Sequence, residues 1–310
     1  MKMIDQVYAA TIEYIDLMPK AKRKKYGQFF TSKETAVFMA DLFSIPKERS
    51  LLRILDPGAG SGILSVALLD RLESIDGINS VELVCYENNS DIIELLYSNL
   101  ELVRSQSAKN ISFEIITENY ILSQVLDYND AFWANPTTNK FDMVIGNPPY
   151  MKIAKNAPES VAMSNICYGA PNLYFLFAAM SMFNLKDDGE MVYIIPRSWT
   201  SGAYFKQFRK YFFGKGVLEH IHLFVSRDKV FEKESVLQET IIIKARKTLK
   251  RPETIVITTT QSNSDFSERT IFEAPYHTVV SGHEFYVYLV TNASEVRTLN
   301  QLNQWQDTLL

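Results

Sequence analysis

The stretch Asp-Pro-Gly-Ala-Gly-Ser-Gly at residues 56–62 constrains the fold of this chain more than any other segment. The apolar run 51–55 before it is typical of a buried strand, and residues 63–72 after it are typical of a helix. Glycine allows a positive φ and a close approach of the backbone to a ligand. The helix that follows begins with unpaired N–H groups. The segment therefore predicts a ligand site where a strand turns into a helix.

Further strand-like runs alternate with helical segments along the chain. They are residues 81–86, 111–116, 141–145, 191–195, 218–224 and 240–245, so that seven strands are predicted in all. Strands that alternate with helices indicate an α/β fold with a doubly wound, mostly parallel sheet, and its crossovers should be right-handed. We therefore expect the ligand site at the carboxyl edge of that sheet.

The domain prediction places one catalytic unit over residues 1–250, with an N-terminal helix in residues 1–20. Residues 251–310 lack a clear alternation of strands and helices, and we expect a short C-terminal appendage there. This appendage is predicted to be a linker or the start of a further region. The chain stops within an amphipathic segment at Leu309-Leu310, which predicts a fragment of a longer protein.

Composition narrows the class of protein. Hydrophobic residues make up 46% of the 310, which is typical of a globular chain, and the net charge of −4 disfavours a strongly basic, non-specific nucleic-acid binder. The two cysteines, Cys85 and Cys167, form no Cys-x-x-Cys pair, so we expect no metal and no disulfide framework. The chain shows no signal peptide and no apolar run of membrane-spanning length. A cytoplasmic protein without membrane contact is the expectation.

Two acidic residues indicate which cofactor the glycine turn binds. Glu87 ends the second strand, where a carboxylate accepts hydrogen bonds from the ribose hydroxyls of an adenosine. Asp56 stands before the glycines, where it would repel the pyrophosphate of NAD but attract the ammonium group of S-adenosylmethionine. The pair therefore favours S-adenosylmethionine over NAD.

The tetrapeptide Asn147-Pro148-Pro149-Tyr150 follows the fourth strand and should lie at the same edge of the sheet. Its two prolines fix φ and remove two backbone donors, which leaves a stiff turn with the Asn147 side-chain oxygen and the Pro148 carbonyl as acceptors. Two acceptors on the hydrogens of the adenine N6 amine would free its lone pair for attack on a methyl group. Tyr150 would offer a face on which an extruded base stacks.

The order of four motifs resembles the gamma-class N6-adenine DNA methyltransferases of restriction–modification systems. They are Gly-Gln-Phe-Phe-Thr at 27–31, residues 56–62, Glu87, and Asn-Pro-Pro-Tyr at 147–150. The resemblance covers about residues 20–245. It implies a Rossmann-like methyltransferase sheet and site-specific methylation of a flipped adenine in duplex DNA. The partner that it implies is a restriction endonuclease or a separate specificity part. It also implies that residues 251–310 are a linker or the incomplete start of a DNA target-recognition region.

The resemblance also implies roles for individual residues. The cofactor would contact Phe30, Thr31, Asp56, Gly58, Gly60, Glu87 and Asn119. The flipped adenine would contact Asn147, Pro148 and Tyr150, and Phe231 matches an aromatic position that packs against that base. One position departs from the family pattern. Asn119-Tyr120 stands where an Asp-Phe pair is usual, and Glu118 before it competes for the adenine ring of the cofactor.

Three alternatives remain open from the sequence. Enzymes that methylate the N5 nitrogen of glutamine in translation release factors also use Asn-Pro-Pro-Tyr, because an amide nitrogen is an equally poor nucleophile. RNA adenine is a second acceptor with the same chemistry. A non-catalytic module that binds S-adenosylmethionine or DNA is the third, and it predicts the loss of Asn147 or Tyr150, both of which are present.

Overall fold

The computed structural model describes residues 2–19, 30–46, 49–129, 140–225 and 240–308. Its α-helices are α1 (Met3–Leu17), α2 (Lys33–Asp41), α3 (Ile63–Glu73), α4 (Ile93–Gln106), α5 (Tyr120–Ser123), α6 (Val125–Tyr128), α7 (Pro158–Ala162), α8 (Leu173–Asn184), α9 (Lys206–Phe213), α10 (Tyr276–Val279) and α11 (Ala293–Thr308). Its strands are β1 (Leu51–Pro57), β2 (Ser80–Tyr86), β3 (Asn110–Ile116), β4 (Phe141–Gly146), β5 (Leu185–Pro196), β6 (Val217–Phe224), β7 (Thr240–Arg246), β8 (Thr254–Thr260), β9 (Thr270–Pro275), β10 (Val280–Ser281) and β11 (Tyr286–Val287).

The first nine strands form one sheet in the order β3-β2-β1-β4-β5-β7-β6-β8-β9. Only β7 and β9 run against the other strands of this sheet, so the predicted α/β fold with a mostly parallel sheet is confirmed. From β1 the chain moves outward to β2 and β3, and it then returns to β4 on the other side. Right-handed crossovers put the helices of these two halves on opposite faces. The change of direction opens a crevice at the carboxyl ends of β1 and β4.

The expected strand number of seven was wrong, because β8 and β9 extend the sheet beyond residue 250. Ile255 and Ile257 of β8 are fully buried, and the three threonines that follow them are buried as well. A threonine-rich run does not show the apolar alternation by which a strand is recognised. The division of the chain into domains at residue 250 stays a prediction, although the sheet itself continues past that position.

Buried histidines explain why threonines occupy the interior of β8. His222 on β6 is fully buried, and its ring nitrogens lie 2.8 Å from Thr258 Oγ1 and 3.1 Å from Thr260 Oγ1. His220 Nε2 lies 2.8 Å from the same Thr258 hydroxyl. The Phe38 ring of α2 packs on His222 with centroids 4.6 Å apart. These contacts satisfy polar groups in the core and join β8 to β6.

We predict that these histidines make the protein sensitive to acid. Burial lowers the pKa of His220 to about 4, and the positive charge of Lys244 acts in the same direction. Burial also lowers the pKa of His222 to about 3, with His220 as the next cause. The unfolded chain takes up protons at these positions below about pH 6.5. The folded chain does not, so stability is lost as the pH falls from about 6.5 toward 4. Compared with a variant that lacks both, each histidine should remove on the order of 3 kcal/mol from the free energy of urea unfolding over this range.

A His220→Gln/His222→Gln variant is the control for this prediction. Its free energy of unfolding should depend much less on pH over the same range. An unchanged dependence would show that other groups cause the acid sensitivity.

The helix α2 begins one residue later than its sequence suggests. Thr31 with Glu34 has the spacing of a capping box, but Ser32 is the N-cap, and its hydroxyl accepts a hydrogen bond from Thr35 N–H at 3.2 Å. Thr31 is left outside the helix, where its buried side chain contacts the site described below. Within the described ranges, no helix is both long and apolar enough to cross a membrane.

Candidate functional site

A cavity of about 400 Å³ lies in the crevice between the carboxyl ends of β1 and β4. Seven of the predicted site residues line it: Phe30, Thr31, Gly58, Gly60, Glu87, Asn119 and Asn147. The motifs that carry them are separated by up to 117 residues from Phe30 to Asn147, and the fold brings them to one place. The shared cleft on which the sequence interpretation depends is therefore present.

The glycine turn is held against β2 by its backbone. The N–H groups of Gly58 and Ala59 both donate to the carbonyl oxygen of Tyr86, at 2.8 and 2.9 Å. Gly58, Gly60 and Gly62 have φ values of +79°, +57° and +80°. Side chains with a Cβ rarely adopt this left-handed region, so the turn depends on glycine at these three positions. Gly62 is the N-cap of α3, which places the start of that helix beside the cavity.

Glu87 joins the glycine turn to the end of β2. Its Oε2 accepts a hydrogen bond from Gly60 N–H at 2.8 Å, and its Oε1 accepts one from Asn89 N–H at 2.8 Å. The side chain is only 7% exposed, and burial raises its pKa although both bonds act in the opposite direction. Each carboxylate oxygen can accept a second hydrogen bond. Glu87 can thus accept from ribose hydroxyls in the cavity while it fixes the turn.

Asp56 was expected to contact the cofactor directly, but it does not line the cavity in this structure. Its carboxyl group is fully buried behind the turn, where Ser65 Oγ of α3 donates to Oδ2 at 2.6 Å. Its Oδ1 has no hydrogen-bond partner among the described residues. Burial raises the pKa of Asp56 to about 7, and the charge of Glu87 adds to this increase. In this arrangement Asp56 connects β1 to α3 through Ser65.

Asn147 is held by a residue from the N-terminal motif. Its Nδ2 donates to Thr31 Oγ1 at 3.1 Å, so the side-chain amide is oriented from outside its own turn. After the turn, the chain pairs with the segment before α8. Ile153 N–H donates to the Pro171 carbonyl, and Leu173 N–H donates to the Met151 carbonyl, both at 2.8 Å. The turn is therefore fixed at both ends.

Pro148 and Tyr150 do not line the cavity, unlike Asn147. Tyr150 is 7% exposed, and its hydroxyl donates to the Ile194 carbonyl at 2.9 Å. Its ring meets Tyr174 edge to face, with centroids 6.3 Å apart. The predicted stacking face is thus covered in this arrangement, because the hydroxyl anchors the ring to β5. Phe231, the other predicted stacking residue, lies outside the described residues.

Asn119 and Glu118 both line the cavity, but their contacts differ. Asn119 is the N-cap of α5, and its Oδ1 accepts from the N–H groups of Ile121 and Leu122, both at 3.1 Å. Its Nδ2 donates to Glu159 Oε1 at 2.7 Å. Both lone pairs of Oδ1 are therefore engaged. Glu118 is exposed and also lines the cavity, and it has an acceptor available for an adenine amine.

Several lining residues were not expected from the sequence. Tyr86, Asn88 and Asn89 flank Glu87, and this neighbourhood is a signal from which they could have been found. Glu159 and Phe177 come from α7 and α8, and no motif marks them. Their positions depend on how these helices pack, which the local sequence does not encode.

The chemistry of the lining residues fits a cationic adenosine cofactor. Three carboxylates line the cavity, those of Glu87, Glu118 and Glu159. No lysine, arginine or histidine occurs among the described lining residues. A cofactor with two phosphates would be repelled by these carboxylates, whereas an ammonium and a sulfonium group would be attracted. The site geometry therefore favours S-adenosylmethionine over NAD.

Comparisons with known proteins agree with this geometry. The model of the Eco57I restriction-modification methylase family matches residues 16–231. The chain is 31% identical over 305 residues to the type II methyltransferase M.PstI of Providencia stuartii, with 96% of this chain and 58% of the relative covered. It is 34% identical over 286 residues to the type II methyltransferase M.BsuBI of Bacillus subtilis, with 91% and 55% covered. This chain thus spans little more than half the length of these two relatives.

The fold also resembles that of a solved structure. The crystal structure of a putative class I S-adenosylmethionine-dependent methyltransferase from Listeria monocytogenes superposes with a TM-score of 0.59 at 18% identity. The match covers 77% of this chain and 68% of that one. The sheet and its crevice are therefore those of an S-adenosylmethionine-dependent methyltransferase fold.

Proposed function

We propose, from the premise that this chain belongs to the Eco57I restriction-modification methylase family, that it methylates N6 of adenine in duplex DNA. S-adenosylmethionine is the cofactor that the family and the fold imply. The observation that carries the proposal is the common cavity, which brings the Asn147 amide, the glycine turn and Glu87 together. The target adenine would lie within a specific DNA sequence and would be flipped out of the duplex.

Named residues of this cavity would hold the cofactor. Glu87 would accept from the ribose hydroxyls, and the backbone at Gly58 and Gly60 would pack along the amino-acid end. Phe30 and Thr31 would close the side formed by the N-terminal motif, since both line the cavity. Bound S-adenosylmethionine supplies a methyl group that its sulfonium makes electrophilic. The protein then has to bring an amine to that methyl group in line.

The turn after β4 would activate the amine. The nitrogen of an adenine N6 amine is a poor nucleophile, because its lone pair is delocalised into the ring. Asn147 Oδ1 and the Pro148 carbonyl would accept its two hydrogens and draw the nitrogen toward tetrahedral geometry. Thr31 supports this role, because its hydroxyl holds the Asn147 amide through Nδ2. Catalysis by positioning and fixed dipoles needs no covalent intermediate on the enzyme.

Stacking of the flipped base on Tyr150 would require a local change. The ring is covered by Tyr174 in this arrangement, and a base would have to displace that edge-to-face contact. Phe231 would pack on the other side of the base. Both assignments belong to the proposal and derive from the family resemblance.

A comparison of acceptors tests the proposed function. S-adenosylmethionine with a tritiated methyl group is incubated with the protein and, in separate reactions, duplex DNA, RNA of the same sequence and a translation release factor. Label should enter the duplex DNA at a rate at least tenfold above that of the other two. Preferential label in RNA or in the release factor would contradict the proposal.

We predict that Glu118, and not Asn119, accepts the amine of the cofactor adenine. Glu118→Ala should weaken cofactor binding about tenfold, because a charged hydrogen-bond acceptor is lost. Asn119→Ala should lower the free energy of unfolding by about 1 kcal/mol through loss of the N-cap and change cofactor affinity less. Calorimetric titration with S-adenosylhomocysteine, together with thermal unfolding, separates the two effects. A larger loss of affinity in the Asn119 variant would reverse the assignment.

A further inference from the structure

Two exposed tyrosines form a pair outside the cofactor cavity. The side chains of Tyr168 and Tyr204 are 66% and 61% exposed. Their rings meet edge to face with centroids 5.5 Å apart. Large aromatic rings that contact each other in water are a common feature of binding surfaces.

The pair is held in place by the backbone beneath it. Gly169 has a φ of +74°, and a Cβ on it would lie 3.1 Å from Tyr204 Cε1. The Tyr204 ring therefore packs directly on the Gly169 backbone. Tyr204 itself belongs to a 3₁₀ helix, Ala203–Phe205. An exposed ring that is already fixed loses little conformational entropy when a ligand stacks on it.

The tyrosine pair is connected to the turn that carries Asn147. Tyr174 contacts Tyr150 on one side and Phe205 on the other, with centroids 6.3 and 6.1 Å apart. Phe205 is the neighbour of Tyr204 in the chain. A second cavity of about 590 Å³ opens beside Tyr174 and includes Ser198 in its lining. Ring contacts therefore link the turn to the residue next to Tyr204.

Two exposed lysines lie in this part of the chain. Lys152 and Lys155 are exposed, and neither forms an ion pair or side-chain hydrogen bond within the described residues. Lys152 pairs with Asn172 in an antiparallel bridge, which places it beside the loop that carries Tyr168. The chain as a whole has a net charge of −4, so this is a local feature. Cations beside stacking rings suit a polyanion that also carries bases.

We propose that Tyr168 and Tyr204 stack on a nucleobase of the DNA next to the flipped adenine, with Lys152 and Lys155 against the adjacent phosphates. The inference rests on the proposed function, since it assumes that DNA approaches the Asn147 turn. Flipping one base unstacks its neighbours and exposes their faces. A rigid aromatic pair at this position stabilises the opened duplex and accepts any base, because every base has a π face.

Binding of a fluorescein-labelled duplex with one unpaired adenine tests the inference. Anisotropy titrations in the presence of S-adenosylhomocysteine compare the unsubstituted chain with Tyr168→Ala/Tyr204→Ala and Tyr168→Phe/Tyr204→Phe. We expect about tenfold weaker binding or more for the alanine variant and nearly full affinity for the phenylalanine variant. Tyr97→Ala is the matched control, because Tyr97 is 53% exposed but lies on α4.

Two further measurements complete this test. Calorimetry gives the cofactor affinity of each variant and thereby shows whether its fold is intact. If the double alanine variant is not folded, the single tyrosine variants are used instead. Lys152→Ala/Lys155→Ala should reduce the slope of log affinity against log salt by about 2. The inference alone would be overturned if the alanine variant bound DNA as tightly as the unsubstituted chain. The proposed function would then still stand, provided that methyl transfer depends on Asn147. Absence of DNA binding by the unsubstituted chain would overturn it together with the proposed function.

Discussion

Asn147→Ala is expected to lower the rate of methyl transfer about 100- to 1000-fold and to leave cofactor affinity within about threefold. The side-chain oxygen of Asn147 is the proposed acceptor for the reacting amine, and it acts most strongly when charge develops on that nitrogen. The main-chain groups that shape the cofactor end of the cavity remain in this variant. Single-turnover transfer of a labelled methyl group, with calorimetry for cofactor binding, measures the two effects separately.

Two variants sharpen this prediction. Asn147→Asp keeps an acceptor oxygen at the same place, and Thr31 Oγ1 can donate to the other carboxylate oxygen. This variant should therefore keep more activity than Asn147→Ala. Thr31→Val removes only the hydroxyl that holds the Asn147 amide at 3.1 Å, and it should cause a smaller loss than Asn147→Ala. Turnover of Asn147→Ala at the level of the unsubstituted chain would remove this residue from its proposed role.

Glu87→Gln is expected to weaken cofactor binding by about 10- to 100-fold. The carboxylate accepts the N–H groups of Gly60 and Asn89, and it is proposed to accept the ribose hydroxyls as well. A glutamine offers one acceptor oxygen and turns its NH₂ group toward one of these two donors. The turn loses a charged hydrogen bond, and the cofactor loses part of its acceptor set. Calorimetric titration with S-adenosylhomocysteine gives the change in affinity.

The control for this substitution is Glu114→Gln, which alters an exposed carboxylate on the neighbouring strand β3. Its cofactor affinity should equal that of the unsubstituted chain. Similar losses in both variants would mean that general electrostatics, and not the Glu87 contacts, govern binding. The free energy of unfolding of Glu87→Gln should also decrease, because two buried N–H groups share a poorer acceptor.

The sequence predicted the part of the fold that depends on local pattern. The apolar strands β1 to β7 and the glycine turn follow from periodicity and from the conformational freedom of glycine. The strand β8 was missed because Thr258 and Thr260 are polar residues, which the sequence does not mark as buried. In the structure their hydroxyls form hydrogen bonds with the ring nitrogens of the buried His222. This pairing joins residues 36 to 38 positions apart, so no local pattern reveals it.

In the site, too, local pattern predicted some positions, while others depend on contacts between distant residues. Glu87 and Asn147 were expected at the same edge because each follows a strand and the carboxyl ends of parallel strands share an edge, and both line the cavity. Asp56 also follows this logic, yet Ser65 holds its carboxyl group behind the turn. Tyr150 is covered because its hydroxyl reaches the Ile194 carbonyl. Both placements depend on the direction of a side chain, which spacing along the chain does not specify.

The position of the transferred methyl group is the most direct test of the account, because the central claim is that an acceptor-rich turn activates an exocyclic amine beside the cofactor. Duplex DNA is incubated with the protein and S-adenosylmethionine that carries a trideuterated methyl group, digested to nucleosides and examined by mass spectrometry. The account predicts the label on N6 of deoxyadenosine, and a rate of labelling about 100- to 1000-fold lower with Asn147→Ala. Label on carbon 5 of cytosine would contradict it.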